Sequence, residues 1–129
     1  MIKICPFCVI EEERIWLSNE KAISFRDAYP VTEGHTLVIP KRHAESIFEL
    51  EEEELDAFWE LVSLARKKLF EEYKPDGMNI GINDGRAAGQ TVMHAHLHLI
   101  PRRQGDMEDP RGGVRLIFPK RASRLMNII

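Results

Sequence analysis

The 129-residue chain is 43% hydrophobic and 30% charged, the balance of one globular domain with an ordinary core rather than of a disordered or fibrous chain. Eighteen basic and 21 acidic residues leave a net charge of −3, so bulk charge gives no reason to expect a nucleic-acid partner. No apolar run reaches the roughly 18 residues of a membrane span, and the first residues show no signal-peptide pattern, so no membrane partner is expected and the cytoplasm is the expected compartment.

Along the chain, residues 2–4 are a candidate short strand, and residues 9–13 a candidate short helix after Cys5-Pro6-Phe7-Cys8. Residues 14–17 and 21–26 form a hairpin around Ser18-Asn19-Glu20, with Ile23 and Phe25 on one face, the period of a half-buried strand. Tyr29-Pro30 and Glu33-Gly34 punctuate a loop before a third strand at 35–40. The clearest helix covers residues 51–73, where Leu55, Phe58, Val62, Ala65 and Leu69 recur at spacings of three and four and so align one apolar stripe. The four glutamates 51–54 occupy its first turn, and Lys67 and Lys68 near its end complement the helix dipole. Pro75 and Gly77 stop it.

Met78, Ile80 and Ile82 then alternate with Asn79, Gly81 and Asn83 in a fourth strand. Asp84-Gly85 opens a loop to Gly89, and residues 92–100 make a fifth strand before Pro101. The expected class is α+β, about five antiparallel strands with one long helix laid across them and a short helix besides. The stretch after residue 100 carries Arg102, Arg103, Arg111, Arg115, Lys120, Arg121 and Arg124, either a solvated surface or a surface for polyphosphate.

Three of the five histidines, His94, His96 and His98, fall within five residues. Two apart on a strand, they project from one face, while Ala95, Leu97 and Leu99 project from the other, where the helix stripe can cover them. Such a set is a solvated face, a three-histidine metal site, or a nucleophilic centre. The metal reading lacks the carboxylate that a hydrolytic site usually adds. The nucleophilic reading needs nothing more, because imidazole is mostly neutral near pH 7 and its free nitrogen attacks phosphorus without prior activation. Neighbouring imidazoles and amides then hold the phosphate oxygens. The Cys5/Cys8 pair is half of a tetrahedral zinc site or a dithiol redox pair; the latter needs a βαβ unit, whereas this chain continues into a hairpin.

Residues 89–101, Gly-Gln-Thr-Val-Met-His-Ala-His-Leu-His-Leu-Ile-Pro, closely resemble the His-x-His-x-His signature of the histidine triad superfamily. Two more blocks agree in order and spacing: residues 25–30 with 34–43, and the Cys5-Pro6-Phe7-Cys8 run. The likeness covers residues 5–103 of what is expected to be one domain over 1–129, with a basic extension at 104–129.

The resemblance implies a nucleotidyl hydrolase that attacks the α-phosphate of a purine nucleotide conjugate, either a dinucleoside polyphosphate (diadenosine tri- or tetraphosphate) or a nucleoside phosphoramidate. It implies His96 as nucleophile, forming a transient nucleotidyl-histidine, and His98 as its partner on phosphate and leaving group. The carbonyl of His94 would hold the His96 ring, and His35 would support the triad from the neighbouring strand or simply cap the loop after Gly34. Asn83, Gln90 and Thr91 match phosphate or leaving-group positions. Phe7, Ile10, Phe25, Ala28 and Leu37 match positions around the base, where core packing is the alternative, and Asp27 matches the residue that holds the ribose hydroxyls. The resemblance further implies a structural zinc on Cys5, Cys8, His43 and His94, no organic cofactor, and a homodimer with a sheet continuous across its interface, to which Trp59 or Phe70 of the long helix would contribute. Asn83 resembles the phosphoramidase branch, whereas the basic stretch at 110–115 resembles the diadenosine tetraphosphate branch. Two other functions stay open: a nucleotide-binding regulatory module with vestigial hydrolysis, and a metal-dependent hydrolase that uses the triad as ligands.

Overall fold

A computed structural model describes residues 5–128, so the candidate strand at residues 2–4 lies outside the described residues. Five strands form one antiparallel sheet: β1 (Ile15–Ser18), β2 (Ala22–Arg26), β3 (Thr36–Pro40), β4 (Gly77–Ile82) and β5 (Leu97–Arg102). Their spatial order is β1-β2-β3-β5-β4, so the last strand inserts between β3 and β4 and leaves β4 on an edge. The long helix α1 (Glu52–Tyr73) joins β3 to that edge, and a short helix α2 (Pro119–Met126) closes the chain. No helix among the described residues is long and apolar enough to cross a membrane.

The apolar period of α1 does the packing predicted for it. Phe58, Val62, Ala65 and Leu69 are buried against Val38, Leu97 and Leu99 of the sheet, and Ala95 joins them. Leu61 is buried too, while Leu55 is only partly so, which turns the buried stripe slightly from the expected one. Each such side chain contributes roughly 1.5–3 kcal/mol by leaving water. A capping box links Glu51 and Glu54 at the N-terminus, and Arg42 clamps Glu54 with Nε at 2.9 Å. The C-terminal end corrects the dipole expectation. Its last turn holds no basic residue, Glu72 there pairs with Arg26 at 3.3 Å, and Lys67 and Lys68 stand more than a turn upstream. Lys74, at φ 48°, caps the helix in the left-handed conformation ahead of Pro75.

Two further elements differ from expectation. Residues 9–13 hold no α-helix, only the start of a single 3-10 turn at Glu12–Arg14. The fifth strand begins at Leu97 rather than at residue 92. β3 pairs with β5 from Thr36↔Leu99 to Val38↔Leu97, and beyond that point lies Pro40, which has no N–H to offer a ladder. Its carbonyl takes the His94 ring instead, at 2.8 Å, and Ala95 N–H turns to Ala44 O at 2.7 Å. His94 therefore lies in a bend and His96 just ahead of the strand, and only His98 lies within it.

The chain after β5 folds back. Asp106 holds Arg102 through two bonds of 2.7 Å, and a 3-10 segment at Gly113–Ile117 then packs against β4.

Candidate active site and metal centre

Alternation on β2, β3 and β5 leaves one face of the sheet to the helix and the other to a cavity of about 510 Å³. Phe25 and Leu37 form its apolar wall, and Phe7 lies edge-on to Phe25 at 5.5 Å between ring centroids. Asp27, Ala28, His35, Asn83, Thr91, His96 and His98 complete the predicted residues that line it. Two others lie elsewhere. Ile10 packs against the cluster of Ile23, Phe25, Leu37 and Ile39. Gln90 is buried at 4% exposure, where its amide bonds three backbone groups: Gly85 N–H donates to it, and it donates to Glu45 O and Val92 O. Gln90 thus holds the loop that presents Thr91.

Sequence reasoning missed Arg14, Tyr29 and Val31 on the cavity rim. The Arg14 guanidinium lies 5.1 Å from the centre of the Phe25 ring, a contact no sequence pattern announces. Tyr29 is 88% exposed; a bulky aromatic in a Pro/Gly loop beside Asp27 was a readable signal.

Hydrogen bonds fix the imidazole tautomers. His96 Nδ1 lies 2.8 Å from the carbonyl of His94. A carbonyl only accepts, so Nδ1 carries the proton and Nε2 keeps a free lone pair. In the loop ahead of β3 Val31 N–H donates to His35 Nδ1 at 3.2 Å, which leaves the His35 proton on Nε2. That nitrogen stands 2.9 Å from His98 Nδ1 and 3.4 Å from Asp27 Oδ2. His98 therefore accepts at Nδ1 and carries its own proton on Nε2. Asp27 is held in turn, its Oδ1 accepting Tyr29 N–H at 2.8 Å.

The His96 and His98 rings lie 5.2 Å apart. Burial, then the charges of His96 and His35, push the His98 pKa down to about 4 against an opposing pull from Asp27. Burial also lowers His35, with Asp27 opposing. His35 and His98 are thus held neutral at ordinary pH, and the His98 N–H stands beside the His96 ring.

A second cluster stands behind the first. His94 is fully buried, and its Nε2–H donates to Pro40 O, which leaves Nδ1 unprotonated towards the cysteines, 3.4 Å from Cys5 Sγ and 3.7 Å from Cys8 Sγ. His43 Nδ1 lies 3.2 Å from Cys8 Sγ. The four donor atoms all fall within 4.8 Å of one another. Zinc bonds of about 2.0–2.3 Å set tetrahedral ligand atoms about 3.3–3.8 Å apart, so these spacings fit the ion closely. The Cys8 thiol is pushed up by its bond to Cys5, by burial and by Cys5 charge, the repulsion that a shared cation removes.

The family model of the HIT domain matches residues 10–105. The chain is 44% identical over 102 residues to an uncharacterized HIT-like protein of Mycoplasma genitalium, covering 76% of this chain and 72% of that one. It is 35% identical over 101 residues to the bis(5′-adenosyl)-triphosphatase of Dictyostelium discoideum, covering 78% and 68% respectively. Among solved structures, a zinc-bound histidine triad family protein from Mycobacterium smegmatis matches with a TM-score of 0.71 at 33% identity, over 97% of both chains.

Proposed function

The chain belongs to the HIT family, and from that premise we propose that it is a hydrolase of nucleotide conjugates that works through a covalent nucleotidyl-His96 intermediate. The observation that carries this reading is the bond from His96 Nδ1 to His94 O. It holds the ring in the one tautomer whose Nε2 can attack, at a nitrogen that lines the cavity. Nε2 attacks the α-phosphorus, the bond from phosphorus to the leaving oxygen or nitrogen breaks, and the leaving group departs with a proton. Water then attacks the same phosphorus and frees His96, releasing a nucleoside monophosphate.

His98 Nε2–H stands beside this centre to hold a phosphate oxygen and assist the departing atom. Asn83 and Thr91 line the same cavity and are proposed to hold phosphate oxygens. Phe7, Phe25, Ala28 and Leu37 supply the apolar slot for a purine base, and Asp27 offers a carboxylate to the ribose hydroxyls. Gln90 serves the site through its loop. Substrates are dinucleoside polyphosphates or nucleoside phosphoramidates; similarity to the bis(5′-adenosyl)-triphosphatase supports the first class.

Zinc on Cys5, Cys8, His43 and His94 is proposed as structural, with support from the donor geometry and from the zinc-bound relative. It would fix the segment whose carbonyl orients His96. A catalytic metal held by the triad is disfavoured by where the donor atoms point. His94 aims Nδ1 at the cysteines, and the groups with metal-ligand proximity among the described residues are Cys5/Cys8/His43/His94 and Asp27/His35/His98. In the second, the Nε2 of His35 already carries a proton, since Val31 N–H fills Nδ1. A homodimer that extends the sheet is proposed through β4, which ends the strand order among the described residues; Trp59, 44% exposed on α1, would join it.

The test is turnover of diadenosine tetraphosphate and of an adenosine phosphoramidate by wild type and His96→Gly, with light scattering for the dimer. Loss of both activities in the variant supports the reading. Tight AMP binding with no turnover of either compound by the wild type would support the regulatory module instead.

A further inference from the structure

We infer that Arg14 selects the base: its guanidinium reads the O6/N7 edge of a 6-oxopurine, so the cavity takes guanine or hypoxanthine nucleotides in preference to adenine ones. The inference deepens the hydrolase reading above and rests on the same cavity.

Strand register sets the direction in which a nucleotide lies. Ile15 pairs with Phe25, Phe25 with Leu37, and Leu37 with His98, one row across four strands. Neighbouring strands lie about 4.8 Å apart, so Phe25 stands about 10 Å from His98 across the sheet. A phosphate held at His96 and His98 sends its nucleoside along this row, over Leu37 towards Phe25. The base edge farthest from the phosphate then arrives where Phe25 meets β1.

Arg14 stands at that end. A single 3-10 turn, Glu12–Arg14, closed by Arg14 N–H to Glu11 O at 2.9 Å, leads into β1. From this turn the side chain reaches the cavity rim, its guanidinium carbon 5.1 Å from the centre of the Phe25 ring. Its hydrogen bond among the described residues is a long one, from Nη2 to Arg26 O at 3.4 Å. An arginine carries five N–H donors, so most of the fork is left for a ligand. Other arginines are committed to carboxylates: Arg26 to Glu72, Arg42 to Glu54, Arg102 to Asp106 and Arg111 to Asp109. Arg14 follows three glutamates in sequence yet, among the described residues, its side chain pairs with none of them. Of the described lysines and arginines it alone lines this cavity.

The donor-only fork decides what is recognised. Guanine presents two adjacent acceptors, O6 and N7, which match two guanidinium N–H groups, and hypoxanthine presents the same pair. Adenine sets its N6 amino donor beside N7, so donor faces donor. Asp27 is held by Tyr29 N–H, faces His35 and is assigned to the ribose. Arg14 is the charged group left to read a base edge.

The test is calorimetric titration of GMP, IMP and AMP into wild type, Arg14→Met and Arg14→Lys, with turnover of guanosine and adenosine phosphoramidates read on the same preparations. In wild type, GMP and IMP share O6 and N7 and are expected to bind about tenfold more tightly than AMP. Arg14→Met should bring both down to the AMP value while AMP affinity moves little, which also shows that the variant is folded. Arg14→Lys, with a point charge in place of the planar fork, should keep part of the preference. Equal wild-type affinities overturn the inference. So does a GMP preference that IMP lacks, the mark of a contact to the 2-amino group, or a preference that survives in Arg14→Met. An equal fall for all three nucleotides in Arg14→Met, the mark of a phosphate or stacking contact, overturns it as well. Selective binding without turnover of either phosphoramidate overturns the hydrolase reading alone, and no binding of any nucleotide overturns both.

Discussion

The carbonyl of His94 accepts the Nδ1 proton of His96 at 2.8 Å, while the His94 ring turns its own Nδ1 to Cys5 and Cys8. One residue thus joins a thiol-rich cluster to the tautomer of His96, the proposed nucleophile. A metal there would act on catalysis through the backbone rather than through any contact with substrate.

Cys5→Ser is therefore expected to lose bound zinc, lower Tm by about 5–10 °C, and reduce kcat while KM moves little. Metal content by elemental analysis, calorimetry and steady-state kinetics on one preparation check this. Zinc content equal to that of the wild type would refute the site.

His35 touches His98 rather than the nucleophile, so its role is positioning. Loss of its Nε2–H frees the His98 ring to take either tautomer. His35→Ala should lower kcat by about 10–100-fold with little change in KM. His35→Gln, which restores an N–H donor, should recover part of the loss. A KM effect without a kcat effect would contradict the relay.

The pH dependence of stability has a definite sign. His98 titrates near 4 in the fold and near 6.5 when unfolded, so the unfolded chain binds more protons between those values. Stability is fully present above about pH 6.5 and falls as pH drops towards 4. His35, also lowered, acts in the same direction. Asp106, held down to about 2 by Arg102, loses its contribution only below about pH 4. The urea midpoint should therefore fall between pH 7 and 4.5 in wild type, and less steeply in His98→Gln. Identical slopes would dismiss the assignment.

Gln90 bonds Gly85, Glu45 and Val92 from a buried position. Gln90→Ala removes three part-buried hydrogen bonds to backbone and should cost about 1–3 kcal/mol, read from the urea midpoint at pH 7.5. A loss of phosphate affinity at wild-type stability would show instead that its amide reaches the substrate.

Much of this was legible from the chain, for local reasons. Alternation at Met78, Ile80 and Ile82 marked β4, the spacing of Phe58, Val62, Ala65 and Leu69 marked α1, and paired histidine spacing marked the catalytic edge. What escaped depends on contacts far apart in sequence. The ladder of β5 stops short of His94 because Pro40, 54 residues away, spends its carbonyl on the His94 ring. Gln90 matched a phosphate-contacting position, yet backbone groups from three segments consume its amide. The basic stretch after residue 100 was open to a solvated surface or one for polyphosphate; the pairing of Arg102 with Asp106 and of Arg111 with Asp109 was not legible there.

The central claim is that His96 forms a bond to phosphorus. Quench of wild type in alkaline denaturant, which preserves an acid-labile P–N bond, early in turnover of an adenosine phosphoramidate, followed by mass spectrometry of the peptide holding residues 94–98, tests it most directly. The account predicts one adenylyl group on His96, which disappears once the substrate is exhausted and is never found in His96→Ala. Undiminished turnover by His96→Ala, with no adduct on the wild-type peptide, would contradict it.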